Sequence, residues 1–160
     1  MTLDCVFLSV FLLFVGIGMG AGLYEARVVY PNWAAEALPA MLGEKLISSG
    51  QAAAARRFWP FVSPMILLLA VVNGYLAWQQ VGIVRQVWLA ASLTIIIKSI
   101  VTYVYFVPTM MRRFEHAAGI EPMTLRRMIS VWTALSPLRA VAEFIAWTAG
   151  MYALILVARS

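Results

Sequence analysis

Four long runs of apolar residues, separated by polar segments, dominate the pattern along this chain. They cover about residues 5–30, 58–80, 86–107 and 131–157. Each run reaches or exceeds the roughly 20 residues that a helix needs to cross the ~30 Å hydrocarbon core of a bilayer. The pattern therefore predicts an all-α membrane protein with four transmembrane helices. We interpret the first run as a retained helix and not a signal peptide, because the leading residues MTLD carry no lysine or arginine.

The connections between the runs predict the architecture. Only residues 81–85 separate the second run from the third, so these two helices are expected to be antiparallel neighbours. The simplest arrangement is one domain, residues 1–160, folded as an up-down-up-down four-helix bundle. A short amphipathic helix on the membrane surface is predicted in the first long loop, where helical spacing connects Trp33, Leu38, Met41, Leu42 and Leu46. The second long loop, residues 108–130, is predicted to be polar and turn-like.

Composition and charge agree with the membrane prediction. The chain is 63% hydrophobic and 12% charged, whereas soluble domains are about half apolar and a quarter charged. The lipid bilayer is therefore the expected partner of the apolar surface. The net charge of +5 is explained by topology and anionic headgroups, and nucleic acid is not expected as a partner.

The distribution of basic residues predicts the orientation. The two long loops contain seven lysines and arginines: Lys45, Arg56, Arg57, Arg112, Arg113, Arg126 and Arg127. The opposite side has only Arg85 and Arg159. The positive-inside rule then places both loops in the cytoplasm and both termini outside, as in a bacterial inner membrane.

Lys98 lies in the middle of the third apolar run, in the sequence LTIIIKSIVTYVYF. At 1.5 Å per residue it is ~15 Å from Pro108, and Glu143 is ~18 Å from the same side on the fourth run. A lysine and a glutamate at similar depth on different helices predict an ion pair. Such intramembrane charges are functional-site candidates, because an isolated charge near the bilayer centre costs about 3 kcal/mol or more.

Two further charges extend the candidate site. Arg139 lies one helical turn before Glu143, and Glu25 lies at about the depth of Arg139 on the first run. The prediction is one ladder of four catalytic candidates: Glu25, Arg139, Glu143 and Lys98. The polar residues that share these helix faces are the substrate-binding candidates, namely Asn73, Thr94, Thr102, Tyr105, Trp132 and Ser136. A structural ion-pair network that fixes helix register is the competing interpretation.

Several kinds of chemistry are excluded by the residue inventory. His116 is the only histidine, so a bis-histidine haem and a multi-histidine metal centre are both excluded. Cys5 is the only cysteine, which excludes an intrachain disulfide. No metal or cofactor is expected. Five of the six tryptophans are predicted to mark the membrane interfaces: Trp33, Trp59, Trp78, Trp88 and Trp132.

The C-terminal half carries a family resemblance. The sequence YFVPTMMRRF…LRRMISVWTALSPLRAVAEFIAW resembles the anthrone-oxygenase-like family of small four-helix membrane proteins, as does RFWPFVSPM before the second run. The matching features are Val107–Pro108 after the third helix, and Trp132 seven residues before Arg139. This chain has Thr109 where family members often have asparagine, and Ser136 where they often have histidine. The resemblance implies cofactor-free oxidation of a polycyclic phenol or a similar hydrophobic substrate.

Three functions follow as hypotheses. The first is binding, with or without cofactor-free oxidation, of a small hydrophobic molecule with an anionic or phenolic oxygen. Lys98 and Arg139 would hold this oxygen. Glu143 and Glu25 would set the charge of these two cations or relay a proton. The second is a small proton-coupled transporter that works as a homo-oligomer, with Lys98 and Glu143 exchanging partners. The third is a structural or accessory membrane subunit.

Overall fold

Helices account for all the regular structure in the part of the chain that the computed structural model describes, residues 2–30, 42–114, 116 and 119–159. The first helix, α1, spans Leu3–Tyr24 and continues as a π-helical turn over Glu25–Val29. A short helix, α2, spans Leu42–Ser48, and α3 spans Gln51–Gln79. Helix α4 spans Gly82–Val101 and continues through two π-helical stretches, Thr102–Phe106 and Thr109–Phe114. The last helix, α5, spans Pro122–Arg159.

Four of these helices are long and apolar enough to cross a membrane: Leu3–Val29, Gln51–Gln79, Gly82–Phe114 and Pro122–Arg159. The four predicted spans are thus confirmed, and the chain has the character of an integral membrane protein. The helices extend beyond the predicted spans at three ends. Helix α3 begins at Gln51, α4 continues to Phe114, and α5 begins at Pro122. At these ends the apolar runs give way to basic and polar residues. The helices continue into the polar segments because backbone hydrogen bonds do not depend on hydropathy.

The predicted turn-like loop over residues 108–130 is therefore wrong for most of its length. Pro108 does not end α4 but lies between its two π-helical stretches. A proline lacks the N–H that an α-helical bond would use, and the preceding turn is already widened, since Val107 donates its N–H to the carbonyl of Thr102. Helix α5 starts with Pro122 in its first turn, where a missing N–H costs nothing.

Each long helix packs against two others. Helix α1 contacts α3 and α5, and α4 contacts the same two helices, so the four form a closed ring. At one end of the ring, Gln80 Nε2 donates to Asp4 Oδ2 at 3.0 Å. At the other end, Trp59 Nε1 donates to Glu25 Oε1 at 2.7 Å.

The first long loop is only partly described. Residues 31–41, with Trp33, Leu38 and Met41 of the predicted amphipathic helix, lie outside the described residues. The segment Leu42–Ser48 is helical, but the amphipathic helix predicted for the loop stays a prediction. Its Leu46 is only 1% exposed and packs among buried protein side chains, not toward the surface of the protein.

The buried side chains form two apolar clusters with a polar layer between them. The larger cluster contains Ile95 of α4 and Ala146 of α5. The smaller contains Phe106 of α4 and Trp132 of α5. Between these positions, α4 and α5 carry the buried or half-buried polar residues Lys98, Ser99, Thr102, Ser136, Arg139 and Glu143. Sequence order along the two helices thus places the charged residues where the apolar core is interrupted.

Candidate functional site

Lys98 and Glu143 form the ion pair that the sequence predicts. Lys98 Nζ lies 2.7 Å from Glu143 Oε1, and the two side chains are only 10% and 5% exposed. Two charges at this burial are stable only when they are paired and hydrogen-bonded. Among the described residues, Oε2 of Glu143 and the two remaining N–H groups of Lys98 have no further partner.

The small-residue face of α1 provides the space for the Glu143 carboxylate. A Cβ atom built on Gly18 would lie 3.2 Å from Glu143 Oε1 and 2.7 Å from Cδ1 of Ile66. A Cβ on Gly22 would lie 3.9 Å from Glu143 Oε2. Glycine at position 18 therefore lets α1 approach α5 closely at the level of the ion pair, in the way that small residues bring membrane helices together.

Arg139 is held by aromatic rings instead of by a carboxylate. Its guanidinium carbon lies 4.2 Å from the centroid of the Phe106 ring and 6.0 Å from that of Trp132. No carboxylate of the described residues lies within ion-pair distance, and the buried Nε–H has no hydrogen-bond partner among them. The predicted ladder is therefore wrong as a single network: the Lys98–Glu143 pair and Arg139 are separate.

Tyr30 connects Arg139 to Glu25. The Tyr30 hydroxyl donates a short hydrogen bond to Glu25 Oε2, and Arg139 Nη2 lies 3.4 Å from the same hydroxyl. The other carboxylate oxygen of Glu25 accepts the 2.7 Å bond from the Trp59 indole. The Tyr30 ring is 4% exposed and meets the Trp132 ring edge-on at 4.6 Å. We call these six residues the Arg139 site: Glu25, Tyr30, Trp59, Phe106, Trp132 and Arg139.

The sequence does not point to Tyr30, because Tyr30 and Glu25 would lie on different faces of an α-helix. Five residues correspond to about 140° of rotation away from Glu25 at 3.6 residues per turn. In the structure the turn is π-helical, and Tyr30 donates its N–H to the carbonyl of Glu25 five residues earlier. This wider turn brings the two side chains together. A second π-helical stretch, Thr102–Phe106, ends in the ring that stacks on Arg139, and such turns occur frequently at functional sites.

The predicted hydroxyl ligands bond mainly to their own helices. Thr94 donates to the carbonyl of Ala90 at 2.7 Å, and Thr102 donates to that of Lys98 at 2.9 Å. Ser136 donates to the carbonyl of Trp132 at 2.8 Å. These bonds occupy the hydroxyl protons and leave only lone pairs for a ligand. Tyr105 is half-buried, with its ring 5.1 Å from that of Phe106 at the edge of the Arg139 site.

Asn73 forms a separate hydrogen-bond centre between three helices. It is fully buried, and its Nδ2 donates to the carbonyls of Leu69, at 2.8 Å, and Phe7, at 3.3 Å. Its Oδ1 accepts the indole N–H of Trp88 at 3.1 Å. Both N–H groups and one lone pair of this amide are therefore used within the protein, and none of these hydrogen bonds is with the Arg139 site.

Two of the tryptophans predicted to mark the interfaces are buried inside the protein. Trp88 is fully buried and Trp132 is 4% exposed. Trp78 is 63% exposed, with the guanidinium of Arg85 4.1 Å from its ring, as an interfacial residue would be. Trp59 is half-buried because its indole reaches Glu25, and Trp33 lies outside the described residues.

An open groove of about 480 Å³ lies elsewhere, between α1 and α5. Its lining is mainly apolar and contains no charged side chain; Trp147, Gly16 and Met151 are among the residues that form it. It is thus separate from both charged centres. No group of three or more histidine, cysteine, aspartate or glutamate residues within the described ranges is placed to hold a metal ion.

Comparison of the chain with protein-family models, curated proteins and solved structures finds no match. The chemistry of the two charged centres is therefore argued from their own geometry.

Proposed function

We propose that this membrane protein binds a small hydrophobic molecule with an anionic or phenolic oxygen at the Arg139 site. The observation that carries the proposal is the buried Nε–H of Arg139, which has no acceptor among the described residues. A guanidinium has five N–H donors and no acceptor. A buried charged donor without an acceptor costs free energy, so an anionic ligand oxygen at this atom would stabilise the site.

The side chains around Arg139 are aromatic rings, against which a flat hydrophobic ligand would pack. Phe106 covers one face of the guanidinium, and the rings of Tyr30, Phe106 and Phe114 all lie within 6 Å of Trp132. Aromatic rings pack well against other rings in offset or edge-on geometry. A hydrophobic molecule can approach from lipid, and its oxygen would find a charged donor at Arg139.

Within this proposal the two cations have different roles. The ammonium of Lys98 is already bonded to Glu143, so we assign this pair to fixing the register of α4 against α5. Arg139 holds the ligand oxygen, and Glu25, through Tyr30, is the nearest carboxylate. The resemblance to the anthrone-oxygenase-like family extends the proposal to cofactor-free oxidation of a phenolic substrate.

The proposed arrangement in the membrane follows from contacts at the helix ends. Asp4 at the start of α1 meets Gln80 after α3, and Glu25 after α1 meets Trp59 near the start of α3. These contacts support antiparallel neighbours and an up-down-up-down bundle. The basic loops then lie on the cytoplasmic side of a bacterial inner membrane, by the positive-inside rule, with the Arg139 site in the half of the bundle next to them.

A proton-coupled carrier is the second candidate. It is favoured by the spare hydrogen-bonding capacity of the Lys98–Glu143 pair, whose remaining N–H groups and Oε2 have no partner among the described residues. A pair of this kind can exchange partners when a proton binds to the carboxylate. This function predicts substrate flux in proteoliposomes that depends on a pH gradient, whereas binding alone requires no gradient.

The test is native mass spectrometry of the gently solubilised protein, with an absorbance spectrum of the same sample. We expect a small aromatic molecule to accompany the wild type and to be lost in Arg139→Met. Arg27→Met is the matched control, because Arg27 is an exposed arginine near the same end of α1. Retention of the same molecule by Arg139→Met would refute the proposal. The proposal would also be refuted if the wild type carries no small molecule and hydrophobic phenols do not raise its melting temperature.

A further inference from the structure

We propose that Glu25, acting through the hydroxyl of Tyr30, deprotonates a phenol or enol bound at the Arg139 site, so that the ligand is held as an oxyanion. This inference rests on the proposed function and adds a named proton acceptor and a residue that contacts the ligand. It is supported by the contacts of Tyr30 with Glu25 and Arg139. The sequence pattern does not predict these contacts, and the Lys98–Glu143 pair takes no part in them.

The Tyr30 hydroxyl has a donor on one side and an acceptor on the other. It donates to Glu25 Oε2 and lies 3.4 Å from Nη2 of Arg139. The charged groups that act on this hydroxyl are Glu25 from α1 and Arg139 from α5. From α3 and α4, the side chains of the described site are the uncharged Trp59 and Phe106. A ligand oxygen next to Arg139 would therefore meet the Tyr30 oxygen before it could reach Glu25.

Glu25 is oriented so that one oxygen serves the relay. The Trp59 indole holds Oε1 at 2.7 Å, which leaves Oε2 for Tyr30. No cation of the described residues forms an ion pair with this carboxylate. A carboxylate that is hydrogen-bonded but not neutralised by a cation can act as a proton acceptor in a partly buried site.

The proton transfer balances without any further reactant. The ligand O–H bond breaks and its proton moves to the Tyr30 oxygen, while the proton of Tyr30 moves to Glu25 Oε2. The negative charge thereby passes from Glu25 to the ligand oxygen. That oxyanion lies beside Arg139, whose buried Nε–H is the unused donor. Charge that develops next to a fixed guanidinium in a dry site is strongly stabilised.

The test uses 4-nitrophenol as the probe, because its phenolate absorbs visible light and its phenol does not. The full chain in detergent is titrated with the probe at pH values below and above the pKa of the free probe. We expect the pKa of the bound probe to fall by about one unit, a tenfold rise in the phenolate-to-phenol ratio. Arg27→Met should behave as the wild type.

Two variants separate the relay from binding. Tyr30→Phe keeps the buried ring, and Glu25→Gln keeps an oxygen for the Trp59 or Tyr30 donor. Both are expected to bind the probe with a smaller lowering of its pKa than the wild type gives, because Arg139 still stabilises the phenolate while the proton has lost its acceptor. Tyr24→Phe, at an exposed tyrosine of the same helix, should leave the shift unchanged. 4-Nitroanisole has no proton to transfer and should bind all of these proteins with similar affinity.

The two proposals fail in different ways. If the wild type binds neither probe, or Arg139→Met binds them equally well, the proposed function and the relay are both overturned. If binding depends on Arg139 but the folded Tyr30→Phe and Glu25→Gln proteins lower the pKa of the probe as much as the wild type does, the relay alone is overturned. Should Tyr30→Phe not fold, Glu25→Gln decides the question by the same measurement.

Discussion

Lys98 Nζ of α4 lies 2.7 Å from Glu143 Oε1 of α5, and both side chains are almost completely buried. The carboxylate also rests against Gly18 of α1. The pair thus connects three of the four long helices at the level where the apolar core is interrupted. Because a buried charge without its partner is costly, these contacts make the stability of the fold sensitive to either residue alone.

Removal of Lys98 alone should therefore destabilise the protein. We expect Lys98→Met to lower the free energy of unfolding by about 3 kcal/mol, since it leaves Glu143 buried without a partner. The double variant Lys98→Met/Glu143→Leu should recover most of this loss, because it removes both charges. Thermal unfolding in detergent measures the effect. A double variant that is no more stable than the single one would contradict the structural role assigned to the pair.

Gly18 and Gly20 provide a test of close helix packing. A Cβ atom on Gly18 would meet Ile66 at 2.7 Å and Glu143 at 3.2 Å, whereas a Cβ on Gly20 would meet nothing within 4 Å. Gly18→Ala should therefore destabilise the bundle by about 1 kcal/mol or more through overpacking. Gly20→Ala should have no cost, and both variants share any gain in helix propensity. Equal melting temperatures for the two variants would show that α1 is not closely packed at Gly18.

The four-helix fold can be predicted from the sequence because it depends on the composition and length of the apolar runs. The four spans are visible as apolar runs, and depth counting along two of them places Lys98 opposite Glu143. The ends of α3, α4 and α5 could not be found in this way, because helices continue into polar segments where hydropathy carries no signal. The same limit explains Trp88: an indole on a span can lie at an interface or in the core, and only its bond to Asn73 shows which.

The Arg139 site is less predictable because it depends on departures from α-helical geometry. Counting turns places Glu25 and Arg139 at one depth, which the structure supports through Tyr30. It cannot reveal that a π-helical turn brings Tyr30 to Glu25, or that another π-helical stretch leads to Phe106. Nor does it show that Arg139 stacks on a ring instead of joining Glu143. No pattern in the sequence specifies where a single wide turn occurs.

Asn73 and Trp88 should be coupled energetically. The amide oxygen accepts the indole N–H at 3.1 Å, and both side chains are fully buried. We expect a double-mutant cycle with Asn73→Leu and Trp88→Phe to give a coupling energy of about 0.6 kcal/mol, the usual size for such bonds between membrane helices. Neither variant should alter ligand binding at the Arg139 site. A coupling energy of zero would show that the bond does not contribute to stability.

Glu121 provides a prediction about pH that is independent of the membrane site. Its carboxylate accepts the backbone N–H groups of Met123, at 2.9 Å, and Thr124, at 2.7 Å, and so caps the first turn of α5. These bonds, the one from Met123 foremost, lower the pKa of the Glu121 carboxyl below its usual value of 4.5. A carboxylate at a helix N-terminus is also favoured by the helix dipole.

The sign of the effect follows from the lowered pKa. The cap stabilises the start of α5 fully above pH 4.5, and this contribution is lost as the pH falls through the lower pKa of the folded state. Hydrogen exchange at Met123 and Thr124 measures it. We expect Glu121→Gln to speed exchange at neutral pH, with the difference from the wild type disappearing in acid. The exposed Glu44 offers the control Glu44→Gln, which should leave these amides unchanged. A difference between Glu121→Gln and wild type that persists unchanged at low pH would show that the charge of Glu121 is not what holds this turn.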